Sequence, residues 1–148
     1  MEETKNYIRK NGLIKIKDGW LYTGDMAKMG NDGFIYFVDR KKDVIITGGE
    51  NIFPIEIEEI LLNHPKIYDA AVIGIPDDRL GEIVIAIVDP KLNTKLTKEE
   101  VITYCQDNIP KYKRPRHIIF NKVPRNPTGK IEKPKLRDKY SKKNTLML

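Results

Sequence analysis

Residues 67–90, IYDAAVIGIPDDRLGEIVIAIVDP, decide the fold of this chain. Two apolar, β-branched runs of strand length, 67–76 and 82–90, are separated by the turn-forming letters DDRLG. Both runs stay apolar instead of alternating with polar residues, which is typical of strands covered on both faces. We therefore predict that both are central strands of a sheet, with helices packed against it.

The segments on either side of these strands predict two helices. In FPIEIEEILLNHP, residues 53–65, Pro54 suits the first helical position, and apolar residues recur at helical spacing. In LTKEEVITYCQDNIP, residues 96–110, Thr97 and Glu100 have the spacing of a capping box. The sheet is therefore expected to have a helix before its strands and another after them.

The last third of the chain adds one strand and one helix. RHIIF, residues 116–120, predicts a third strand, and EKPKLRDKY, residues 132–140, predicts a short terminal helix. We therefore predict an α+β fold in which flanking helices cover a small mixed or antiparallel three-stranded sheet. This domain spans residues 42–140, and residues 141–148 are expected to be a disordered tail.

The first 41 residues have a different character. Two stretches with strand character, 20–27 and 33–39, flank the turn letters KMGNDG and predict a β-hairpin. An isolated hairpin is marginal in water, and no predicted helix covers this one. We interpret residues 1–41 as the last strands of a truncated N-terminal domain. The hairpin is expected to be mobile, rearranged or paired with another chain, which makes an oligomer possible.

Composition narrows the class of protein. Of 148 residues, 40% are hydrophobic and 32% charged, and no apolar run approaches the ~18 residues of a membrane span. The N-terminus lacks the apolar segment of a signal peptide, and the one cysteine, Cys105, cannot form an internal disulfide. Cys105 falls on an apolar helical stripe and is expected in the core. These features predict a reducing, cytoplasmic setting.

The net charge of +6 has two explanations. A basic excess can indicate nucleic acid, but it fits small phosphate-bearing ligands equally well. The basic segments near the C-terminus lack the interleaved aromatic residues of a single-strand binder, so we expect no nucleic-acid partner. His64 and His117 have no partners at metal-ligand spacing, so no metal site is predicted.

Four short motifs can carry chemistry, and each alone has an ordinary structural explanation. The letters YTGD, residues 22–25, place Asp25 where it could accept hydrogen bonds from a ribose diol or simply form a turn. DRKKD, residues 39–43, is a charge cluster of the kind that usually faces solvent. The pair Gly48-Gly49 allows close backbone approach, or an ordinary tight hairpin.

The fourth motif is NPTGKI, residues 126–131. It is not a nucleotide-binding P-loop, because Pro124 stands where that motif needs glycine and Ile131 follows Lys130 where it needs Ser or Thr. On this loop alone, Lys130 is a solvated loop lysine.

Taken in order, these motifs resemble the C-terminal part of the adenylate-forming ligases, over about residues 13–140. That family includes acyl-CoA synthetases, peptide-synthetase adenylation domains and luciferases. The resemblance implies two steps: a carboxylate and ATP give an acyl-adenylate and pyrophosphate, and CoA then gives a thioester and AMP. The letters GGENIFPIEIE favour an acyl-CoA synthetase of the medium-chain, aryl or carnitine type.

The resemblance also implies roles for individual residues. Lys130 is the catalytic lysine of adenylation, and Lys42 is the hinge about which the domain rotates between steps. The turn at Gly48 and Gly49 lines the pantetheine tunnel. The nucleotide is bound through Tyr22, Thr23, Asp25 and Arg40.

The resemblance implies that much of the active site is formed by another domain of the same enzyme. The phosphate loop, the acyl pocket and most adenine contacts lie in a larger N-terminal domain, which also holds most of the contacts to ATP and Mg²⁺. The chain is therefore expected to be inactive alone. Three alternatives stay open: another adenylate-forming enzyme such as a peptide-synthetase adenylation domain, a non-catalytic basic binding module, and a regulatory homologue.

Overall fold

The computed structural model describes residues 15–17 and 19–141. The chain divides into two compact units, Met1–Lys42 and Asp43–Leu148. The expected disordered tail at 141–148 lies, apart from Ser141, outside the described residues.

The first unit contains two separate antiparallel ladders. Strand β1 (Lys15–Lys17) pairs with β2 (Trp20–Tyr22), and β3 (Asp25–Met29) pairs with β4 (Ile35–Arg40). The prediction of a single strand over 20–27 is therefore wrong. Gly24, at φ +80°, interrupts it, because this left-handed conformation does not continue a strand. The predicted hairpin around KMGNDG is present as β3 and β4.

The second unit is a mixed sheet with three α-helices. Its described elements are β5 (Ile45–Thr47), β6 (Glu50–Ile52), α1 (Pro54–Leu62), β7 (Ile67–Asp77), β8 (Gly81–Pro90), α2 (Lys98–Asn108), a 3₁₀ turn (Lys111–Lys113), β9 (His117–Phe120) and α3 (Lys133–Tyr140). Strand β8 pairs antiparallel with β7 and parallel with β9, which confirms the predicted α+β class and its mixed three-stranded centre. The hairpin of β5 and β6 extends this sheet to five strands.

Both faces of the sheet are covered, as the apolar runs predicted. On one face, alternate residues of β7 and β8 such as Val72 and Ala86 pack with α1 and α2. On the other face, residues such as Ile73 and Ile85 pack with Leu136 and Tyr140 of α3. Because successive side chains of a strand point to opposite faces of the sheet, one continuous apolar run contributes to both cores.

The prediction that both runs are central strands is correct for β8 and wrong for β7. Among the described strands, β8 has ladder partners on both sides, whereas β7 pairs with β8 alone. Burial of the two faces depends on the helices, and it does not require a hydrogen-bonded strand on each edge. An apolar run therefore predicts covered faces and not the place of the strand in the sheet.

The helices begin as their sequences predicted. Pro54 occupies the first turn of α1. At the start of α2, the Glu100 N–H donates to Thr97 Oγ1 and the Thr97 N–H donates to Glu100 Oε2. This reciprocal pair satisfies two N–H groups that the helix leaves without partners. Cys105 lies buried on the inner face of α2, as predicted.

Candidate functional site

Lys130 projects from a tight turn between β9 and α3. The Asn126 N–H donates to the Lys130 carbonyl and the Gly129 N–H to the Asn126 carbonyl, both at 2.9 Å. Gly129 has φ +82°, a conformation that favours glycine. The Lys130 side chain is exposed, and within residues 19–141 its ammonium forms no ion pair. The turn thus presents one uncompensated positive charge to solvent.

The side chain of Asn126 braces this turn from inside. Its Oδ1 accepts hydrogen bonds from the Thr128 N–H at 3.1 Å, the Thr128 hydroxyl at 2.8 Å and the Lys130 N–H at 2.9 Å. An Asn that bonds to backbone N–H groups a few residues ahead stabilises a turn by itself. Asn126 was not singled out from the sequence, although Asn is a strong turn signal.

Arg125 attaches the turn to the sheet. Its Nε and Nη2 lie 2.7 and 2.8 Å from the two carboxylate oxygens of Asp69 on β7, and its Nη1 donates to the Gly129 carbonyl at 2.5 Å. The hydrogen bond to Asp69 is the main cause that raises the pKa of the Arg125 guanidinium. No local sequence signal predicts this pair, because 56 residues separate its members.

Gly48 and Gly49 form the tip of the hairpin between β5 and β6. Their φ angles of +58° and +87° give the pattern of a type I′ turn, which requires left-handed backbone at both positions. The Gly48 N–H donates to the Leu80 carbonyl at 2.9 Å. A Cβ added at Gly49 would meet no atom of the described chain within 4 Å. Backbone conformation therefore explains both glycines, and the space beside Gly49 is open.

A groove of about 530 Å³ runs beside this turn. Its lining includes Gly48, Glu50 and Leu80 and, from the basic segment after α2, Lys111, Tyr112 and Arg116. The groove thus combines a glycine turn with exposed cations, which suits a ligand that carries phosphate.

One further arginine in the groove wall has a structural role. Arg114 donates from Nε to the Ile109 carbonyl at 2.7 Å and from Nη2 to the Gln106 carbonyl at 2.8 Å. It thereby satisfies carbonyls at the end of α2 that the helix leaves without partners.

The two turns lie toward opposite ends of β7. The Lys130 turn is tied to Asp69 near the start of the strand, and the Gly48 turn is bonded to Leu80, just beyond Asp77 at its end. The strand covers about 26 Å between Asp69 and Asp77 at ~3.3 Å per residue. One unit therefore carries two separate exposed features that a single small site cannot contact at once.

The first unit brings together three of the four predicted nucleotide-binding residues. Asp25 and Arg40 face each other across the β3–β4 ladder, with Arg40 Nε 3.3 Å from Asp25 Oδ1. The Asp25 N–H donates to Thr23 Oγ1 at 3.1 Å. Thr23, Arg40 and Lys42 line a depression of about 340 Å³. Tyr22 lies on the other ladder, paired with Lys15, and its side chain is 60% exposed.

Within residues 19–141, no group of three or more His, Cys, Asp or Glu side chains could hold a metal ion. No described helix is long and apolar enough to cross a membrane.

A family model fits the part of the chain that carries α1, the central sheet and the Lys130 turn. The model described as "AMP-binding enzyme C-terminal domain" matches residues 56–130, which is just over half of the chain. The chain belongs to this family. The matched segment includes Lys130 and begins after the Gly48 turn.

Curated relatives of this AMP-binding C-terminal domain are acyl-CoA ligases. The long-chain-fatty-acid–CoA ligase FadD13 of Mycobacterium tuberculosis (strain CDC 1551 / Oshkosh) is 44% identical over 125 residues, which is 84% of this chain and 25% of the relative. The 2-succinylbenzoate–CoA ligase of Bacillus cereus (strain ATCC 10987 / NRS 248) is 42% identical over 137 residues, 90% of this chain and 28% of the relative. The chain spans about a quarter of the length of these relatives.

Several solved structures are also similar to this chain. ATP-bound MatB from Rhodopseudomonas palustris matches with a TM-score of 0.80 and 32% identity, over 95% of this chain and 27% of that one. The o-succinylbenzoate CoA synthetase MenE from Bacillus subtilis, in complex with the acyl-adenylate intermediate OSB-AMP, matches with a TM-score of 0.75 and 37% identity. It covers 83% of this chain and 25% of that one. The AMP-binding C-terminal domain thus has the architecture found in these enzymes.

Proposed function

We propose that this chain is the C-terminal part of an AMP-forming acyl-CoA ligase. The observation that carries the proposal is the position of the Lys130 turn and the Gly48-Gly49 turn toward opposite ends of β7. A domain built this way can serve two successive reactions by presenting first one end and then the other. The relatives named as CoA ligases support the same activity.

Lys130 serves the first step. A carboxylate oxygen attacks the α-phosphorus of ATP, a P–O bond forms, and pyrophosphate leaves. Both reactants are anionic, so their approach is opposed by repulsion that a compact ammonium offsets. Lys130 suits this role because it is exposed and unpaired within residues 19–141, on a turn braced by Asn126.

Asp25 and Arg40 hold the nucleotide. The Asp25 carboxylate accepts hydrogen bonds from the ribose hydroxyls, and Arg40, its partner across the ladder, adds positive charge beside the phosphates. Thr23 fixes the backbone at Asp25. Tyr22 is assigned to the same site by its place in the motif alone, since it lies on the other ladder. Mg²⁺ is proposed to be held mainly by the larger part of the ligase.

The glycine turn serves the second step. The CoA thiol attacks the acyl carbonyl, a C–S bond forms, and AMP leaves. The open space beside Gly49 fits the narrow pantetheine arm, and the cations of the adjoining groove fit the phosphates of CoA. Lys42 is the hinge, and the boundary between the two compact units falls directly after it. A few residues that absorb a large change in φ and ψ are enough for such a rotation.

The first unit is proposed to complete a larger domain. Trp20, Phe34 and Ile35 are 77%, 69% and 72% exposed. Exposed apolar surface of this kind usually marks an interface, and the relatives are more than three times as long as this chain. In a whole ligase, this surface would be protected from chymotrypsin, whereas it would be cleaved in the isolated chain. Equal cleavage in both would contradict the assignment. We also propose that the ligase is cytoplasmic. Cell fractionation would test this location.

The deciding experiment is pyrophosphate exchange with ATP and a panel of carboxylates. The whole polypeptide that contains this chain should catalyse exchange and then form acyl-CoA when CoA is added. The 148 residues alone should do neither, because they span only about a quarter of the length of the related ligases. Robust exchange by the isolated chain, or oligonucleotide binding with a steep salt dependence, would overturn the proposal.

A further inference from the structure

The turn that carries Lys130 is fixed at its base and directed at its tip by different groups. At the base, the Glu132 N–H donates to the Pro124 carbonyl at 2.8 Å, and Arg125 and Ile131 form an antiparallel bridge. At the tip, the Gly129 carbonyl, directly before Lys130, accepts a hydrogen bond from Arg125. The tip therefore depends on where the Arg125 guanidinium is held.

That guanidinium is itself fixed to the sheet. Its Nε and Nη2 contact both oxygens of Asp69, and this paired geometry fixes the plane of the group as well as its position. Asp69 is 8% exposed, and its Oδ1 also accepts the Ala70 N–H at 2.8 Å. The Arg125 side chain is 41% exposed, but its partner carboxylate is nearly buried, so this pair is less open to exchange with water than an ion pair between two exposed side chains.

We propose that Arg125, held by Asp69, is a positioning residue that sets the direction of the Lys130 ammonium. Asn126 preserves the shape of the turn, and Arg125 decides where that shape points. The inference rests on the proposed function insofar as Lys130 acts at the reacting phosphate. Displacement of a reacting group by about 1 Å can cost about 100-fold in rate, so direction matters as much as charge.

The first test measures motion in this chain, with no reaction involved. In Arg125→Gln, ¹⁵N order parameters of the Gly129 and Lys130 amides should fall from about 0.85 to below about 0.6. Asp69→Asn should have the same effect, since Asn keeps an acceptor for Ala70 and loses the ion pair. The matched control is Lys66→Gln, which removes the 2.6 Å pair with Glu100 on another part of the unit and should leave both values unchanged. Unchanged values in Arg125→Gln would overturn the proposal.

The second test separates the half-reactions in the whole polypeptide. Arg125→Gln should slow adenylation about 100-fold and leave thioester formation from supplied acyl-adenylate within about twofold. Arg125→Lys should fall between wild type and Arg125→Gln, because an ammonium reaches Asp69 without the paired geometry. The double variant with Asp69→Asn should be no slower than Arg125→Gln. Equal loss of both half-reactions would overturn the positioning role.

The two tests distinguish failure of this inference from failure of the proposed function. If the unaltered polypeptide shows no adenylation, the proposed function fails, and the order parameters still decide whether Arg125 directs the turn.

Discussion

Lys133 Nζ lies 2.9 Å from Glu58 Oε1, and both side chains are only 9% exposed. The same Glu58 oxygen accepts the Val72 N–H at 2.8 Å. This ion pair joins the first turn of α3 to α1 and to β7, three residues after Lys130. The end of the Lys130 turn is therefore attached to the centre of the domain.

Loss of this pair should destabilise the domain. In Lys133→Met, Glu58 keeps its buried charge without that compensation, and the free energy of unfolding should fall by about 3 kcal/mol. Urea denaturation of the chain measures this. The control is Lys135→Met, which removes a pair with Glu132 whose lysine is 68% exposed and should change stability by less than about 0.5 kcal/mol. Similar losses in the two variants would contradict the assigned burial effect.

Removal of the Lys130 charge should affect one half-reaction. Lys130→Ala in the whole polypeptide should lower the adenylation rate by at least about 100-fold, because the developing charge loses its partner. Thioester formation from supplied acyl-adenylate should change little. Lys98→Ala, at an exposed position on α2, is the control and should leave both rates unchanged. If Lys130→Ala slows both steps alike, Lys130 does not have the proposed role.

Two substitutions at Gly49 distinguish the effect of backbone strain from the effect of filling the space beside this residue. Gly49→Ala forces a side chain into φ +87° and should cost about 1 kcal/mol in stability. Gly49→Asn should cost less, because Asn tolerates left-handed backbone. Its side chain would nevertheless enter the space that the described chain leaves open, so thioester formation should slow more than adenylation. Wild-type thioester rates in Gly49→Asn would show that no ligand uses this space.

The hinge assignment predicts that stiffening residue 42 separates the two steps. Lys42→Pro fixes φ near −65° and restricts residue 41 as well. The whole polypeptide should then retain one half-reaction near its normal rate and lose most of the other, since it cannot alternate between both arrangements. Lys42→Ala keeps backbone freedom and should retain both. Normal overall turnover in Lys42→Pro would exclude residue 42 as the hinge.

The buried thiol of Cys105 provides a test of the core. Burial raises the pKa of Cys105 to about 11, so the folded protein should resist alkylation at pH 8 and react fully only when unfolded. The unfolded thiol loses its proton near pH 9, before the folded one does. This group therefore stabilises the fold below pH 9 and loses that contribution as pH rises to about 11. Between pH 9 and about 11, the free energy of unfolding should fall less in Cys105→Ala than in the wild type. The same pH dependence in both proteins would contradict burial of the thiol.

Much of the fold was predictable because its signals are local. The apolar runs of β7 and β8 predicted covered faces, and Thr97 with Glu100 predicted the start of α2. The edge position of β7 was not predictable, because strand order depends on which distant segment pairs with which edge. The break at Gly24 was not predicted either, because a glycine within a strand pattern allows the strand to continue or to end there.

For the candidate site, the sequence by itself determined which residues are candidates for the chemistry. Lys130, Asp25, Arg40 and the Gly48-Gly49 pair can be picked out because each lies in a short motif, and the order of these motifs resembles that of a known family. Only the tertiary structure decided how these residues are held. Arg125 meets Asp69 and Lys133 meets Glu58 across gaps of 56 and 75 residues, and both pairs depend on the packing of α1, β7 and α3. The chemical groups of the site are therefore local in origin, whereas their direction in space is a property of the folded domain.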